Sequence, residues 1–346
     1  MKVQQLSNIR EVARLAGVSV GTVSNVLNRP QRVAEPTRLR VERAVEDLGY
    51  VLNGSARSLR AGRSLVLGLL VLDVTNPFFT EVARGVEDGA NEAGYAVVLC
   101  NSDDSERKER RYLRTLEEQR AHGVIVTPVM REERLLHWLR GRGMGVVLLD
   151  RASAGGDLPS VAVDDVHGGR VAGEHLLELG HRRLALVTGS RSIQQCADRR
   201  EGLRSAVSAA GLDPDEVIVE VAVPALVARS GEEAAARVLA ADPAPTAVFC
   251  VNDLLALGLL RALLHRRVAV PDDLALVGYD DVEFASVLHT PLTTVRQPKY
   301  ELGRAAVELL LAGHDTAGQG GHAGRRMFTP RLVVRESTAG TGGPAR

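Results

Sequence analysis

The sequence predicts a chain in two parts: an all-α helix-turn-helix head, then an α/β body of two lobes, each a parallel sheet flanked by helices. Three observations carry this. Apolar residues recur at helical spacing from Ser7 to Leu48. From Leu65 onward, short β-branched or Leu-rich runs alternate with helical segments. Charge divides at the same place: residues 1–64 hold eleven Lys and Arg against five Asp and Glu, so a net charge of zero over 346 residues is a +6 head joined to a −6 remainder. A basic head can meet phosphates, while an acidic body is repelled from them.

The first helix starts at Asn8, an N-cap with Glu11 three residues later in capping-box spacing, and buries Ile9, Val12, Ala13 and Ala16 until Gly17 ends it. Ser19 caps a second helix with Val23, Val26 and Leu27 inward. Pro36, at a first-turn position, opens a third that buries Val41, Val45 and Leu48 before Gly49. Two short helices around a Gly turn form a helix-turn-helix, though a small bundle that merely packs or dimerises has the same pattern. The outward face separates the two readings. Val20, Gly21, Ser24, Asn25 and Asn28 are short and free of acidic charge, and Arg29, Arg32 and Arg38 follow where phosphates would lie.

In the body the strands read as Leu65 to Leu72, Ala96 to Asn101, Gly123 to Thr127, Gly145 to Leu149, Arg183 to Thr188, Val217 to Val221, Ala247 to Cys250 and Leu274 to Gly278. Phe78 to Ala93, Arg107 to Gln119, Gly169 to Leu179, Arg199 to Ala210 and Leu254 to His265 read as helices between them. Unpunctuated apolar strands alternating with helices mean parallel sheets covered on both faces, too many units for one small sheet. A ligand is then expected between two lobes, at the carboxyl ends of the strands. Polar residues collect there: Asp73 and Asn76 with Phe78 and Phe79, Asn101 and Asp103, Asp150 and Arg151, Asn252 and Asp253, Asp280 and Asp281. Any one suits a helix cap, and Asp165 and Asp253, just before helices, are read as caps. Together, carboxylates, amides, arginines and a flat aromatic suit a polyhydroxylated ring.

The stretch Asn8 to Asn28, with Ile9-Arg10-Glu11-Val12-Ala13, Ala16-Gly17-Val18-Ser19 and Thr22 to Asn28, then Val33-Ala34, Leu48-Gly49-Tyr50 and Ala56-Arg57-Ser58-Leu59, closely resembles LacI/GalR-type bacterial transcription regulators, and the likeness runs to about residue 338. It implies a DNA-binding set of Ser19, Val20, Gly21, Thr22, Ser24, Asn25, Asn28, Arg29, Ala56, Arg57 and Leu59. Asn25 suits an adenine edge and Val20 a thymine methyl. Gly21 departs from the family, which usually has a side chain there. Residues 53 to 60 match the family's hinge helix, in which Leu59 would wedge into the minor groove. Leu52 stands in place of the family's usual proline and Gly54 weakens the helix, so the hinge is expected to be disordered without DNA. An ordinary polar linker is the alternative.

The body resembles periplasmic sugar-binding proteins, which implies an effector site of Phe78, Phe79, Asp103, Asp150, Arg151, Arg199, Asn252, Asp280 and Gln297. Asp150-Arg151 and Asn252 resemble pentose binders, favouring a carbohydrate over a purine or other metabolite, while Arg191 to Cys196 aligns poorly and is expected to carry ligand identity. The implied partners are a pseudo-palindromic operator DNA, a small-molecule effector and a second copy of the chain as a homodimer. Repression is the expected outcome, with an effector-dependent co-repressor or activator as the alternative.

An enzyme is the rival class, but GxGxxG after a strand, GxxxxGK[ST], GxSxG and HExxH are all missing, so no catalytic residue, metal or cofactor is expected. His167, His175 and His181 read as surface or capping residues, and Trp138, between Leu136 and Leu139, as structural. Cys100, Cys196 and Cys250 form no CxxC pair, which fits a reducing cytoplasm, and no apolar run approaches a membrane span. The expected boundaries are 1–52 for the head, 53–63 for hinge and linker, and 64–338 for the body, followed by a flexible tail at 339–346. The lobes are expected at about 64–163 plus 291–325 and about 164–290 plus 326–338.

Overall fold

The computed structural model describes residues 8–50, 64–130, 132–153, 155–315 and 324–339. The chain divides into two compact units between Ser64 and Leu65. In the first, α1 (Ile9–Ala16), α2 (Val20–Asn28) and α3 (Glu35–Asp47) pack around buried Val12, Ala13, Ala16, Val23, Val26, Val41 and Ala44. The Asn8 side chain accepts from the Arg10 and Glu11 amides, and Glu11 Oε2 accepts from the Asn8 amide at 3.0 Å, a closed capping box. Gly17 ends α1 at φ +64°, a left-handed turn that costs a Cβ-bearing residue strain. Ser19 Oγ accepts from the Thr22 amide at the start of α2. Pro36 is the second residue of α3, which begins at Glu35 with no side-chain cap. Leu52, Gly54, Ala56, Arg57 and Leu59, and the hinge helix expected over 53–60, lie outside the described residues.

The second unit continues β1 (Val66–Val71), α4 (Pro77–Glu92), β2 (Ala96–Asn101), α5 (Glu106–Glu118), β3 (Gly123–Val126), α6 (Arg134–Gly141), β4 (Gly145–Leu149), β5 (Ser160–Val163) and α7 (Asp165–Glu178). Then come β6 (Leu184–Thr188), α8 (Gln194–Ala209), α9 (Pro214–Val217), β7 (Ile218–Ala222), α10 (Ala228–Leu239), β8 (Ala247–Cys250), α11 (Asp253–His265) and β9 (Ala275–Asp280). Last are β10 (Thr293–Arg296), α12 (Lys299–Asp315), β11 (Arg325–Phe328), β12 (Arg331–Val333) and α13 (Glu336–Ala339). The upper lobe's sheet has strand order β11-β5-β4-β3-β1-β2 and the lower lobe's has β12-β10-β9-β8-β6-β7. Every pairing is parallel except β10 with β12.

The unbroken apolar runs follow from burial on both faces. Leu67, Leu69 and Val71 of β1, Ile125 of β3, and Val147 and Leu149 of β4 face α4 and α12. The alternate residues Leu70, Val124, Val126, Val146 and Leu148 face α5 and α6. Strand β2 sits at the upper sheet's edge, with Val98 and Leu99 about half exposed.

The topology corrects the expected lobe boundaries. Strand β10, expected in the upper lobe, pairs with β9 in the lower, and β11, whose residues 326–328 were expected in the lower lobe, pairs with β5 in the upper. Both strands are four residues long and rich in Thr or Arg, so they lack the apolar run that marks an interior strand. Three connections therefore join the lobes, at 163–165, 296–299 and 328–331, an arrangement suited to hinge motion. No helix among the described residues is long and apolar enough to cross a membrane.

Helices α7 and α8 touch through glycines. A Cβ on Gly169 would lie 2.0 Å from the Arg199 carbonyl oxygen, and one on Gly202 would lie 2.0 Å from the Val166 carbonyl oxygen. This close approach fixes where Arg199, on α8, emerges.

Candidate functional site

Between the lobes the structure gathers a buried charge cluster. Asp150 follows β4 with φ +56°, a left-handed turn that aims both its carbonyl and its carboxylate toward the lower lobe. Arg199 comes from α8, Asp165 from the first turn of α7, Asp280 from the end of β9 and Gln297 from the crossover after β10. Arg199 Nε donates to Asp165 Oδ1 at 2.7 Å and Nη1 donates to the Val251 carbonyl at 2.6 Å. Its guanidinium lies 3.7 Å from the Tyr279 ring centroid, and Nη1 is 4.0 Å from Asp280 Oδ1. Gln297 Nε2 donates to Asp280 Oδ1 at 2.7 Å. Gln195 Nε2, at the start of α8, donates to the Asp150 carbonyl and to its Oδ2.

Two acceptors in this cluster, Asp150 Oδ1 and Gln297 Oε1, are buried with no hydrogen-bond partner. Leaving such groups unmet costs about 1–3 kcal/mol each, so the site favours a ligand that donates. Burial pushes Asp150 up to about 8, with Asp165 adding to the rise and Arg199 opposing it. Burial likewise holds Asp280 well above the ordinary carboxylate range against the pull of Arg199. Burial works against the charge of Arg199, but Asp165, Tyr279, Asp280 and Asp150 outweigh it and hold the guanidinium charged. Lys299, which opens α12, reaches across the lobes: its Nζ donates to the Asp280 and Asp281 carbonyls at 2.9 and 2.8 Å and pairs with Glu81 of α4 at 2.9 Å. A crevice of about 280 Å³ opens beside the cluster, lined by Asp150, Arg151, Gln194, Gln195, Asp198 and Arg325 among others.

Asp150, Arg199, Asp280 and Gln297 of the expected set thus come together, with Arg151 beside them in the crevice. Others are placed differently. Asp103 is exposed after edge strand β2, its carboxylate held by Lys108 and by Asn101 Nδ2. Two strands lie between β2 and β4, so about 14 Å of sheet separates their ends. Asn252 is engaged at both ends: Oδ1 accepts from the Leu255 amide, capping α11, and Nδ2 donates to the Leu226 carbonyl. Phe78 and Phe79 are buried edge-to-face in the upper lobe's core, with centroids 5.0 Å apart.

The expected caps shift by one residue. Asp164 and Asn252 cap α7 and α11, whereas Asp165 pairs with Arg199, and Asp253 accepts from Thr294 Oγ1 and the Val282 amide inside the lower lobe. His175 and His181, expected at the surface or at caps, are partly buried and bond to Thr338 and Thr246. Trp138 is about half exposed on α6, with the Arg142 guanidinium 5.1 Å from its ring centroid. Glu133, His137 and Asp157 bring potential metal-ligand atoms within 4.8 Å of one another, with the Ser153 hydroxyl donating to Glu133 Oε2.

On the head, Val20, Gly21, Asn25 and Arg29 are exposed along α2 and just past it, and Ser24 is half-buried. The Ser19 and Thr22 hydroxyls lie 3.0 Å apart at the helix start and so hold each other. Asn28 lies in α2. Arg38 is turned to Glu42 at 3.1 Å and Glu35 at 3.8 Å, whereas Arg29 and Arg32 are exposed.

Comparison with known proteins agrees with both halves. Residues 8–53 match bacterial regulatory proteins of the lacI family, and residues 173–338 match a periplasmic binding protein-like domain. The HTH-type transcriptional repressor PurR of Photobacterium profundum is 36% identical over 96% of this chain and 98% of its own length. The ribose operon repressor of Escherichia coli (strain K12) is 36% identical over 96% of this chain and 100% of its own. A solved structure of a LacI family transcriptional regulator from Enterococcus faecium, with bound ribose, superposes at a TM-score of 0.72 with 30% identity over 81% of this chain and 100% of that one.

Proposed function

The chain belongs to the lacI family of bacterial regulatory proteins, and on that premise we propose that it represses transcription as a homodimer on a pseudo-palindromic operator and releases or holds that DNA in response to a pentose-type sugar. The observation that carries the sugar reading is the pair of buried acceptors, Asp150 Oδ1 and Gln297 Oε1, beside Arg199. A polyol brings several hydroxyl donors to close-set carboxylate and amide oxygens and still offers acceptors to arginine. A purine base needs flat apolar faces above and below its ring, whereas Phe78 and Phe79 pack into the core and Tyr279 is covered by Arg199. The Enterococcus regulator that binds ribose supports the same class.

The exposed face of α2 supports DNA reading: its residues are short enough to enter a major groove, and arginines follow them. Edge strand β2 supports the dimer, since half-exposed Val98 and Leu99 on an open strand form a surface that a second copy would cover. In solution the sugar and operator sites are linked by free energy, and about 2.7 kcal/mol of coupling changes operator affinity 100-fold.

The test is calorimetric titration of the full chain with D-ribose, other pentoses and purine bases, followed by operator retention with and without the compound that binds. Binding of a pentose that Arg199→Ala and Asp280→Ala both weaken is the expected result. Binding of a purine in place of any pentose overturns the sugar reading.

A further inference from the structure

We infer that Glu109, on α5 and outside the ligand cleft, is a positioning residue that sets the aim of Arg151. The inference rests on the reading of Arg151 as a sugar contact. Glu109 lies near the start of α5 and is fully buried, with no charged partner at hydrogen-bond distance among the described residues. Its Oε2 accepts from two consecutive backbone amides, Val129 at 2.6 Å and Met130 at 3.2 Å, in the segment that follows β3. The carbonyl of that same Met130 then accepts from Arg151 Nη1 at 2.9 Å. One carboxylate oxygen thus fixes the peptide that in turn holds the guanidinium at the edge of the crevice.

The other oxygen, Oε1, is buried with no hydrogen-bond partner, and burial pushes the carboxyl up against the pull of the two amides. A leucine of nearly the same volume would remove that penalty but leave the Val129 and Met130 amides without their acceptor. What only an acceptor supplies is the register of the 129–130 peptide. Arg151 needs that register because a long guanidinium side chain loses much rotamer freedom on being held, and a fixed carbonyl removes that freedom before ligand arrives. Sequence alone does not mark the residue, since Glu109 lies in the charged run Glu106 to Arg111 that reads as a solvated helix face.

The test uses the full chain, with D-ribose as the probe, and compares wild type, E109Q, E109L, R151A and the double variant E109L/R151A. The amide oxygen of E109Q can still accept from both backbone amides, so E109Q is expected to bind within threefold of wild type. E109L should lose at least tenfold, and in the R151A background the same change should cost no further affinity. Crystal structures of E109L and E109Q form an arm independent of any ligand: Arg151 is expected to leave the Met130 carbonyl in the first and keep it in the second. If E109L does not fold, E109D replaces it, its carboxylate one methylene short of the Val129 amide. Losses that multiply in the double variant, or Arg151 unmoved in E109L, overturn the positioning role. Failure of the wild type to bind D-ribose overturns the ribose reading instead, and the crystallographic arm still decides the positioning.

Discussion

Gln195 Nε2 lies 2.8 Å from Asp150 Oδ2 and 2.7 Å from the Asp150 carbonyl oxygen, so one amide of the lower lobe clasps both polar groups of a residue at the end of an upper-lobe strand. The left-handed turn at Asp150 makes this possible by pointing carbonyl and carboxylate the same way. Hydrogen bonds of this kind contribute about 1–3 kcal/mol, enough to shift a two-state closure tenfold or more. Gln195→Ala should therefore open the ligand-free body, raising the radius of gyration measured by small-angle scattering. An unchanged scattering profile would show that other contacts, such as Lys299 with the Asp280 and Asp281 carbonyls, hold the lobes.

Asp150 also predicts a pH dependence. Its carboxyl is pushed up to about 8 by burial, so the ligand-free site carries a proton over most of the neutral range. Sugar hydroxyls donate to the carboxylate, which favours the charged form, so binding releases the proton. Affinity for D-ribose should rise with pH, approaching tenfold per unit below 8 and levelling above it. Stability runs the other way. A carboxyl raised on folding contributes stability that is full below its unfolded pKa of about 4 and lost as pH rises through 8. The Tm of the ligand-free protein should fall over that window; Asp150→Asn should flatten the affinity curve and make the fall in Tm shallower, with buried Asp253 and Asp280 still contributing to it. Affinity that is level from pH 6 to 8 would remove Asp150 from the contact set.

What was legible in the sequence follows from how far each signal reaches along the chain. The capping box of Asn8 and Glu11, the Gly17 turn and the inward face of Val12, Val23 and Val41 are local, and the structure has them as read. Most strands with two buried faces announce themselves in the same way, but β5, buried throughout, is a four-residue run beginning with Ser that the pattern does not mark. Strands β10 and β11 do not, because each is four residues long and rich in Thr or Arg, and the partner of β11, β5, also lies far away in sequence. In the cleft, Asp150 and Asp280 were visible as polar residues at strand ends, while Arg199 came only from the family resemblance. Whether Asn252 faces ligand or caps α11, and whether Asp165 caps or pairs with Arg199, depends on side-chain direction, which one residue of offset reverses. Gln195, Lys299 and Glu109 carry no motif, and only the folded backbone brings them to their partners.

The glycine contact between α7 and α8 predicts a coupled loss. A methyl at Gly169 meets the Arg199 carbonyl oxygen at 2.0 Å, a backbone atom that cannot swing aside, so Gly169→Ala must push the helices apart. Overpacking costs about 1–3 kcal/mol. The same displacement moves Arg199 away from Asp165 and Val251, so D-ribose affinity should fall along with Tm. Loss of stability with affinity unchanged would mean that Arg199 re-forms its contacts despite the shift.

The head makes a prediction separable from all of these, because reading bases and meeting phosphates respond differently to salt. Asn25 is exposed at the centre of α2 and Arg29 just past its end. If Asn25 pairs with an adenine edge, Asn25→Ala should cost about 1–3 kcal/mol on the selected operator and little on random duplex, with the slope of log affinity against log salt unchanged. If Arg29 meets a phosphate, Arg29→Ala should weaken binding to both duplexes alike and reduce that slope by about 1. Competition titrations at four potassium chloride concentrations, on operator and random duplex, resolve the two patterns. Neither change should alter D-ribose affinity measured without DNA. A uniform loss from Asn25→Ala on both duplexes would assign it to the backbone and shift base reading to other residues of α2, such as exposed Val20.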